Sequence, residues 1–162
     1  MTKNYKSTQS KTIIAYNAKI KHNYFIIDTY EAGIVLVGTE VKSLRQKKVS
    51  LIDAFVTIEK GDLWLRNAHI AIYNHGTCNN HTPKRNRKLL MHRKQITMLT
   101  SKVHSGNLTI LPITLYLSKG MIKVELVLAK GKQSQDKRQD LIKRDALKEV
   151  FREIKCRIGN KF

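Results

Sequence analysis

Residues Lys130 to Arg138 (KGKQSQDKR) contain no large apolar side chain, and they separate two stretches of unlike hydrophobic period. Before them, short apolar runs alternate with polar residues and are broken by glycine, the pattern of a mostly β body. After them comes one charged stretch with neither Pro nor Gly until Gly159. In it Leu147, Val150, Phe151, Ile154 and Ile158 recur at steps of three and four, which predicts a single helix. The junction is expected to be solvated, mobile and basic unless a polyanion lies against it. The chain therefore divides into a polar, disordered basic N-terminus over 1–12, a body over 13–129 and a basic tail over 130–162.

Charge decides which partners such a chain can have. Its 162 residues, enough for one real core, carry 31 Lys+Arg against 12 Asp+Glu, a net charge of +19. That much like charge repels itself in a compact state, and a polyanionic partner is the simplest reason to keep it. Between Asp62 and Glu125 lie 62 consecutive residues without an acid, holding ten Lys/Arg and five His. An ordinary solvated surface mixes both signs. No run of 18 apolar residues occurs and the N-terminus has no apolar signal region, so neither a spanning helix nor secretion is expected. Cys78 and Cys156 sit far apart in unlike surroundings, which fits a reducing cytoplasm.

Along the body, Tyr24 to Asp28 (YFIID) predicts a buried strand, Glu31-Ala32-Gly33 a turn, and Gly33 to Gly38 a second apolar run. Glu40 to Arg45 fits a short helix of a single turn leaving a strand end, with Val41 and Leu44 on one face and Lys42 and Arg45 on another. Ala54 to Glu59 and Leu63 to Leu65 read as a hairpin around Lys60-Gly61-Asp62, the second strand running on toward Ile70. Leu89, His92, Ile96, Leu99 and Val103 predict an amphipathic helix stopped by Gly106. Leu108 to Leu117 and Met121 to Leu128 predict two strands joined at Ser118-Lys119-Gly120. Five or six short strands with an interposed helix suggest a small antiparallel barrel of the oligonucleotide-binding type, with peripheral helices.

A binder of structured RNA needs cations set among polar and planar groups. Lys84, Arg85, Arg87 and Lys88 predict a dense cationic loop of that kind. Asn17, Lys19 and His22 fit a second part of the same surface, with His22 as a packed scaffold residue the alternative. Lys42 and Arg45 join these candidates. The tail, with eleven Lys/Arg and five Asp/Glu from Lys130 on, has acid-before-base pairs at Asp140 with Arg144 and Glu153 with Arg157. An isolated helix of this kind is only partly formed in water, so it is expected to fold along RNA; a helix docked on the barrel is the other possibility. His69, His75, Cys78 and His81 match no common zinc spacing, so no metal or cofactor is expected. No nucleophile elbow, phosphate-cradling glycine loop or close carboxylate pair occurs; a ribonuclease using His and Lys is a weak alternative.

Several blocks together resemble the SsrA-binding protein family. They are Asn17 to Ile26 (NAKIKHNYFI), Glu31-Ala32-Gly33, Gly38 to Arg45 (GTEVKSLR), Arg87 to His92 (RKLLMH), and Lys130-Gly131-Lys132 with Asp136-Lys137-Arg138. Thr39 departs from the family's usual Trp, Met91 from Leu, Ile20 from a basic residue and Gln133 from a third cation; Gln135 holds a position that can be His. The resemblance implies a closed oligonucleotide-binding barrel and a monomeric, non-enzymatic factor of trans-translation. Such a factor binds the tRNA-like domain of transfer-messenger RNA and acts on stalled ribosomes. It adds Glu31, Leu90 and Lys123 to the RNA-facing set. It also places Lys130, Lys132, Gln135, Asp136, Lys137, Arg138, Lys143, Arg144, Phe151 and Ile154 in the decoding region and vacant mRNA channel. A ribosomal or general RNA-binding protein with the same barrel would fit charge and fold equally.

Overall fold

A computed structural model describes residues 11–76 and 80–159. Residues 1–10 of the expected disordered N-terminus and Cys78 lie outside the described residues, as do the side chains of Asp140, Lys143, Arg144, Leu147, Glu153, Cys156, Arg157 and Ile158. The chain divides into two compact units, Met1–Lys130 and Gly131–Phe162.

The first unit is mainly β with helices. Its strands are β1 (Thr12–Tyr16), β2 (Tyr24–Ile34), β3 (Val49–Ser50), β4 (Phe55–Glu59), β5 (Asp62–Arg66), β6 (His69–Ile70), β7 (Arg87–Leu90), β8 (Thr109–Ser118) and β9 (Met121–Gly131). Its helices are α1 (Lys19–Asn23), α2 (Gly38–Arg45) and α3 (Arg93–Gly106). Seven strands form one sheet in the order β1-β8-β4-β5-β7-β2-β9, with a further pairing of β8 to β9; β3 and β6 pair separately.

Two hairpins match the reading of the sequence closely. Lys60-Gly61 joins β4 to β5 and Lys119-Gly120 joins β8 to β9, all four residues with positive φ. This is the two-residue loop whose twist suits a hairpin. In β9, Val124, Leu126 and Leu128 point into the main core, where Leu44, Leu63, Leu65, Leu89 and Leu99 are also buried. β8 buries both faces. Ile110 and Leu115 join the main core, while Leu111 and Ile113 pack with Ile20, Val127 and Ala129 beneath α1. The β8–β9 register shifts between Pro112 and Thr114. A bulge there accommodates a proline that cannot donate to a ladder.

Other expectations change. Thr12, expected to end the disordered arm, opens the strand Thr12–Tyr16, and Glu31 to Gly33 continues β2 instead of turning. The return strand stops at Arg66, where Asn67 takes φ 58° before β6. Leu89 belongs to β7, so the helix begins only at Arg93, and Asn107, left-handed at φ 48°, ends it just after Gly106. Leu89 and Ile96 lie seven apart and face one core from different elements, which is why they mimic one helical stripe.

Arg87 changes most. It was expected in a dense cationic loop facing RNA, yet it starts a strand paired to β5 and is fully buried. Its Nε donates to Glu40 Oε1 at 2.9 Å, and its terminal nitrogens donate to the carbonyls of Ala68 (2.7 Å), Arg85 (2.9 Å) and Pro83 (3.0 Å). Glu40, equally buried, also accepts from Arg85 at 2.8 and 3.2 Å and from the Val37 amide at 2.9 Å, capping α2. Burial alone would push the Glu40 carboxyl up. The hydrogen bonds from Arg85 and Val37 and the charge of Arg87 outweigh it, so the carboxyl lies below its ordinary range. Nearby, His81 Nε2 faces the Ile70 carbonyl at 3.3 Å and Nδ1 faces Thr39 Oγ1 at 2.9 Å. A carbonyl only accepts, so Nε2 carries the proton and Thr39 donates to Nδ1.

The second unit consists of β9's last residue and α4 (Ser134–Gly159). The expected nine-residue junction is therefore almost wholly regular: only Lys132 and Gln133 lie between strand and helix. Asp136 accepts from the Gln133 amide at 3.0 Å and caps the helix start. The described apolar side chains Ile142, Val150, Phe151 and Ile154 are exposed.

Replacing Arg87 by Met should leave Glu40 buried with much of its compensation gone and cost about 3–5 kcal/mol. Urea unfolding checks this, with Arg87→Met/Glu40→Met expected to recover part of the loss.

Candidate nucleic-acid interface

Three of the expected RNA-facing residues, Glu31, Leu90 and Lys123, meet through strand register. Glu31 and Gly33 are two apart on β2 and so share a face. Gly33 pairs with Leu90 of β7, which puts the Leu90 side chain on that face too; it is 53% exposed. A Cβ on Gly33 would come within 3.3 Å of Leu90 Cβ, so the glycine makes room for this close crossing. Lys123, on the neighbouring β9, donates to Glu31 Oε1. Glu31, Gly33, Leu90, Met91, His92 and Lys123 line a groove of about 400 Å³, and an adjoining one of about 320 Å³ runs past Leu36 and Met121.

Tyr116 of β8, paired with Lys123 in register, donates its hydroxyl to Glu31 Oε2. Lys11 reaches the same oxygen at 3.4 Å and lies 4.5 Å over the Tyr116 ring. Hydrogen bonds from Lys123 and then Tyr116 pull the Glu31 carboxyl down to about 2, against the opposing effect of burial. Burial, with the carboxylate next to it, pushes the Tyr116 phenol up. Glu31 is thus held as an anion with both oxygens engaged, Oε1 by Lys123 and Oε2 by Tyr116 and Lys11. Tyr116 was missed in the sequence. It stands alone as a polar-tipped aromatic in an aliphatic strand, but its partner lies 85 residues away.

A second groove of about 500 Å³ is lined by Asn17, Lys19, Tyr24, Asp53, Phe55 and Leu111, among others. Asn17 does not present its amide there. It is buried, donates to the Leu51 carbonyl at 2.7 Å and accepts from the Lys19 amide at 3.2 Å. It shapes the groove, with Lys19 exposed and His22 half-buried beside it in α1.

The expected cationic loop is taken apart by its acids. Arg85 and Arg87 bind Glu40, and Lys88 binds Asp62 at 2.7 Å. Lys84 is exposed and makes no ion pair among the described residues. In α2, Lys42 lies 5.3 Å over the Tyr73 ring and Arg45 is exposed. Lys130, Gln135, Arg138, Phe151 and Ile154 are exposed; Lys132, Asp136 and Lys137 are half-buried. His69 and His75 are exposed while His81 is buried, and among the described residues no three His, Cys, Asp or Glu converge as a metal site. No helix among them is long and apolar enough to cross a membrane.

The family model described as SmpB protein matches residues 14–156. The chain belongs to the SmpB family. It is 58% identical over 161 residues to the SsrA-binding protein of Mycolicibacterium smegmatis, covering 99% of both chains. It is also 58% identical over 149 residues to that of Mycobacteroides abscessus, covering 92% of this chain and 94% of the relative. A chain of the solved structure "tmRNA-SmpB: a journey to the center of the bacterial ribosome" is 42% identical with a TM-score of 0.63, over 78% of this chain and 93% of that one. The SmpB blocks read in the sequence all lie within the matched span.

Because the Glu31 carboxyl titrates lower in the folded chain than its ordinary 4.5, its interactions stabilise the fold above that pH and are lost as pH falls toward about 2. Glu31→Gln should flatten that acid limb in thermal melts measured from pH 5 downward, while the loss driven by other carboxylates persists.

Proposed function

We propose that this protein binds the tRNA-like domain of transfer-messenger RNA and brings it to stalled ribosomes for rescue and peptide tagging. The observation that carries this is the 58% identity, over 99% of both chains, to an SsrA-binding protein. The 42% identical SmpB chain from a ribosome structure supports it. The protein acts by binding rather than catalysis, as a cytoplasmic monomer.

The β8–β9 and β9–β2 pairings support reading the large sheet as a closed oligonucleotide-binding barrel, since its order then returns on itself. The body, 13–129, holds the RNA through the Glu31, Leu90 and Lys123 groove, flanked by Lys19, His22, Lys42, Arg45 and Lys84. Arg85 and Lys88 keep their acid pairs and share the rim; Arg87 and Asn17 act from the interior by shaping it. The tail, 130–162, enters the decoding region and mRNA channel. Its cations, Lys143 and Arg144 with them, lie on ribosomal phosphates, with Phe151 and Ile154 against a groove wall. Exposed apolar side chains on a basic helix support this, because such a helix gains a packing partner only by binding.

Lys84→Ala and Lys19→Ala should each weaken RNA binding and reduce its logarithmic salt slope by roughly one. Binding isotherms across a salt series check this, with tRNA and duplex DNA as competitors. Indiscriminate binding would favour a general RNA-binding protein instead. Truncation after Lys130 should leave RNA binding nearly intact and abolish tagging in a reconstituted translation reaction, and circular dichroism should show the helix signal rising when ribosomes are added.

A further inference from the structure

An acid at the centre of an RNA-facing groove needs a reason. Glu31 repels phosphate, and an ionised carboxylate can only accept hydrogen bonds. Tyr116 sharpens the point. It is 3% exposed, so a phenylalanine would fill the same space, and the hydroxyl is spent on Glu31. A buried hydroxyl without a partner is costly, and this one has its partner on the carboxylate at the groove. Lys123 holds the other oxygen, and Glu31 itself lines the groove beside Leu90 and His92.

We infer that Tyr116 is a positioning residue for RNA recognition: its hydroxyl fixes the Glu31 carboxylate as an acceptor for a hydrogen-bond donor of the RNA. The donor is an N–H on a base edge or a ribose 2′-OH, with Leu90 packing on the adjoining base or sugar and Lys123, while it holds Glu31 Oε1, turning its other N–H donors to phosphate. This rests on the RNA-binding reading above. A low carboxyl pKa, held down by Lys123 and Tyr116, agrees with it, since a protonated Glu31 would itself become a donor. The groups facing Glu31 are Tyr116 from β8, Lys123 from β9 and Lys11 ahead of β1, with His92 and Gln95 on the groove wall.

The test uses the full chain, the tRNA-like domain of transfer-messenger RNA, and the variants Tyr116→Phe, Glu31→Gln and Lys123→Ala. Tyr116→Phe should weaken binding about fivefold to tenfold, the loss expected for one hydrogen bond, with an unchanged salt slope. Lys123→Ala should lower the slope. The Glu31 carboxyl resonance should titrate higher in Tyr116→Phe, a shift that mere loosening of the barrel would not give selectively. Single-site 2′-deoxy and amino-lacking base analogues distinguish ribose from base. One of them should weaken the wild type yet add nothing in Glu31→Gln or Tyr116→Phe. Undiminished binding by Tyr116→Phe overturns the inference, as does a loss that tracks a lowered melting temperature and couples to no RNA position. If the wild type itself fails to bind this RNA, the functional reading falls first and this inference with it.

Discussion

A charge left alone in an apolar interior is among the most expensive defects a fold can carry, and this body contains two that cancel each other. Glu40 and Arg87 are both fully buried, and every polar atom of the pair is turned to use. Glu40 caps the start of α2 and clamps Arg85; Arg87 gathers the carbonyls of Ala68, Pro83 and Arg85. One ion pair thus ties a helix, a sheet strand and two loop segments to a common point. The segment before β7, with few apolar residues of its own, keeps its course because a guanidinium holds its backbone.

The second constraint is β8, whose two buried faces make one strand the wall of two cores. Asn17 seals the smaller side: its backbone amide donates to Ile113 at the bulge, while its side chain holds Leu51. The grooves lie where these inner arrangements meet the surface. Glu31, Leu90 and Lys123 come from β2, β7 and β9, so their spacing depends on strand register and not on a mobile loop. A groove built this way is pre-shaped, so a ligand seated in it would cost little conformational entropy.

The sequence revealed elements whose signals are local. Both Lys-Gly hairpins, α2 and the body of α3 were legible, because period and turn chemistry act over a few residues. What was not legible depended on distant partners. Arg87 reads as one more surface cation until Glu40, 47 residues away, is brought against it. Asn17 reads as a surface amide until the Leu51 carbonyl is placed beside it. Leu89 was drawn into a helix because one core collects apolar residues from strand and helix alike. The groove was legible only through family resemblance: neither Glu31 in a strand nor Leu90 on the surface follows from period or hydropathy. Tyr116 was invisible both ways.

Positive φ occurs at Lys47, Lys60 and Lys119, positions where glycine or asparagine would sit with less strain. A left-handed side-chain-bearing residue costs roughly 1–2 kcal/mol. Each of these strained sites carries a cation, and two of them form hairpin tips. Heat tolerance and long-range attraction to nucleic acid therefore pull in opposite directions at the same three residues. Relaxing them toward asparagine would yield a hardier protein with a weaker field, so the sequence has settled for a backbone less comfortable than its fold permits.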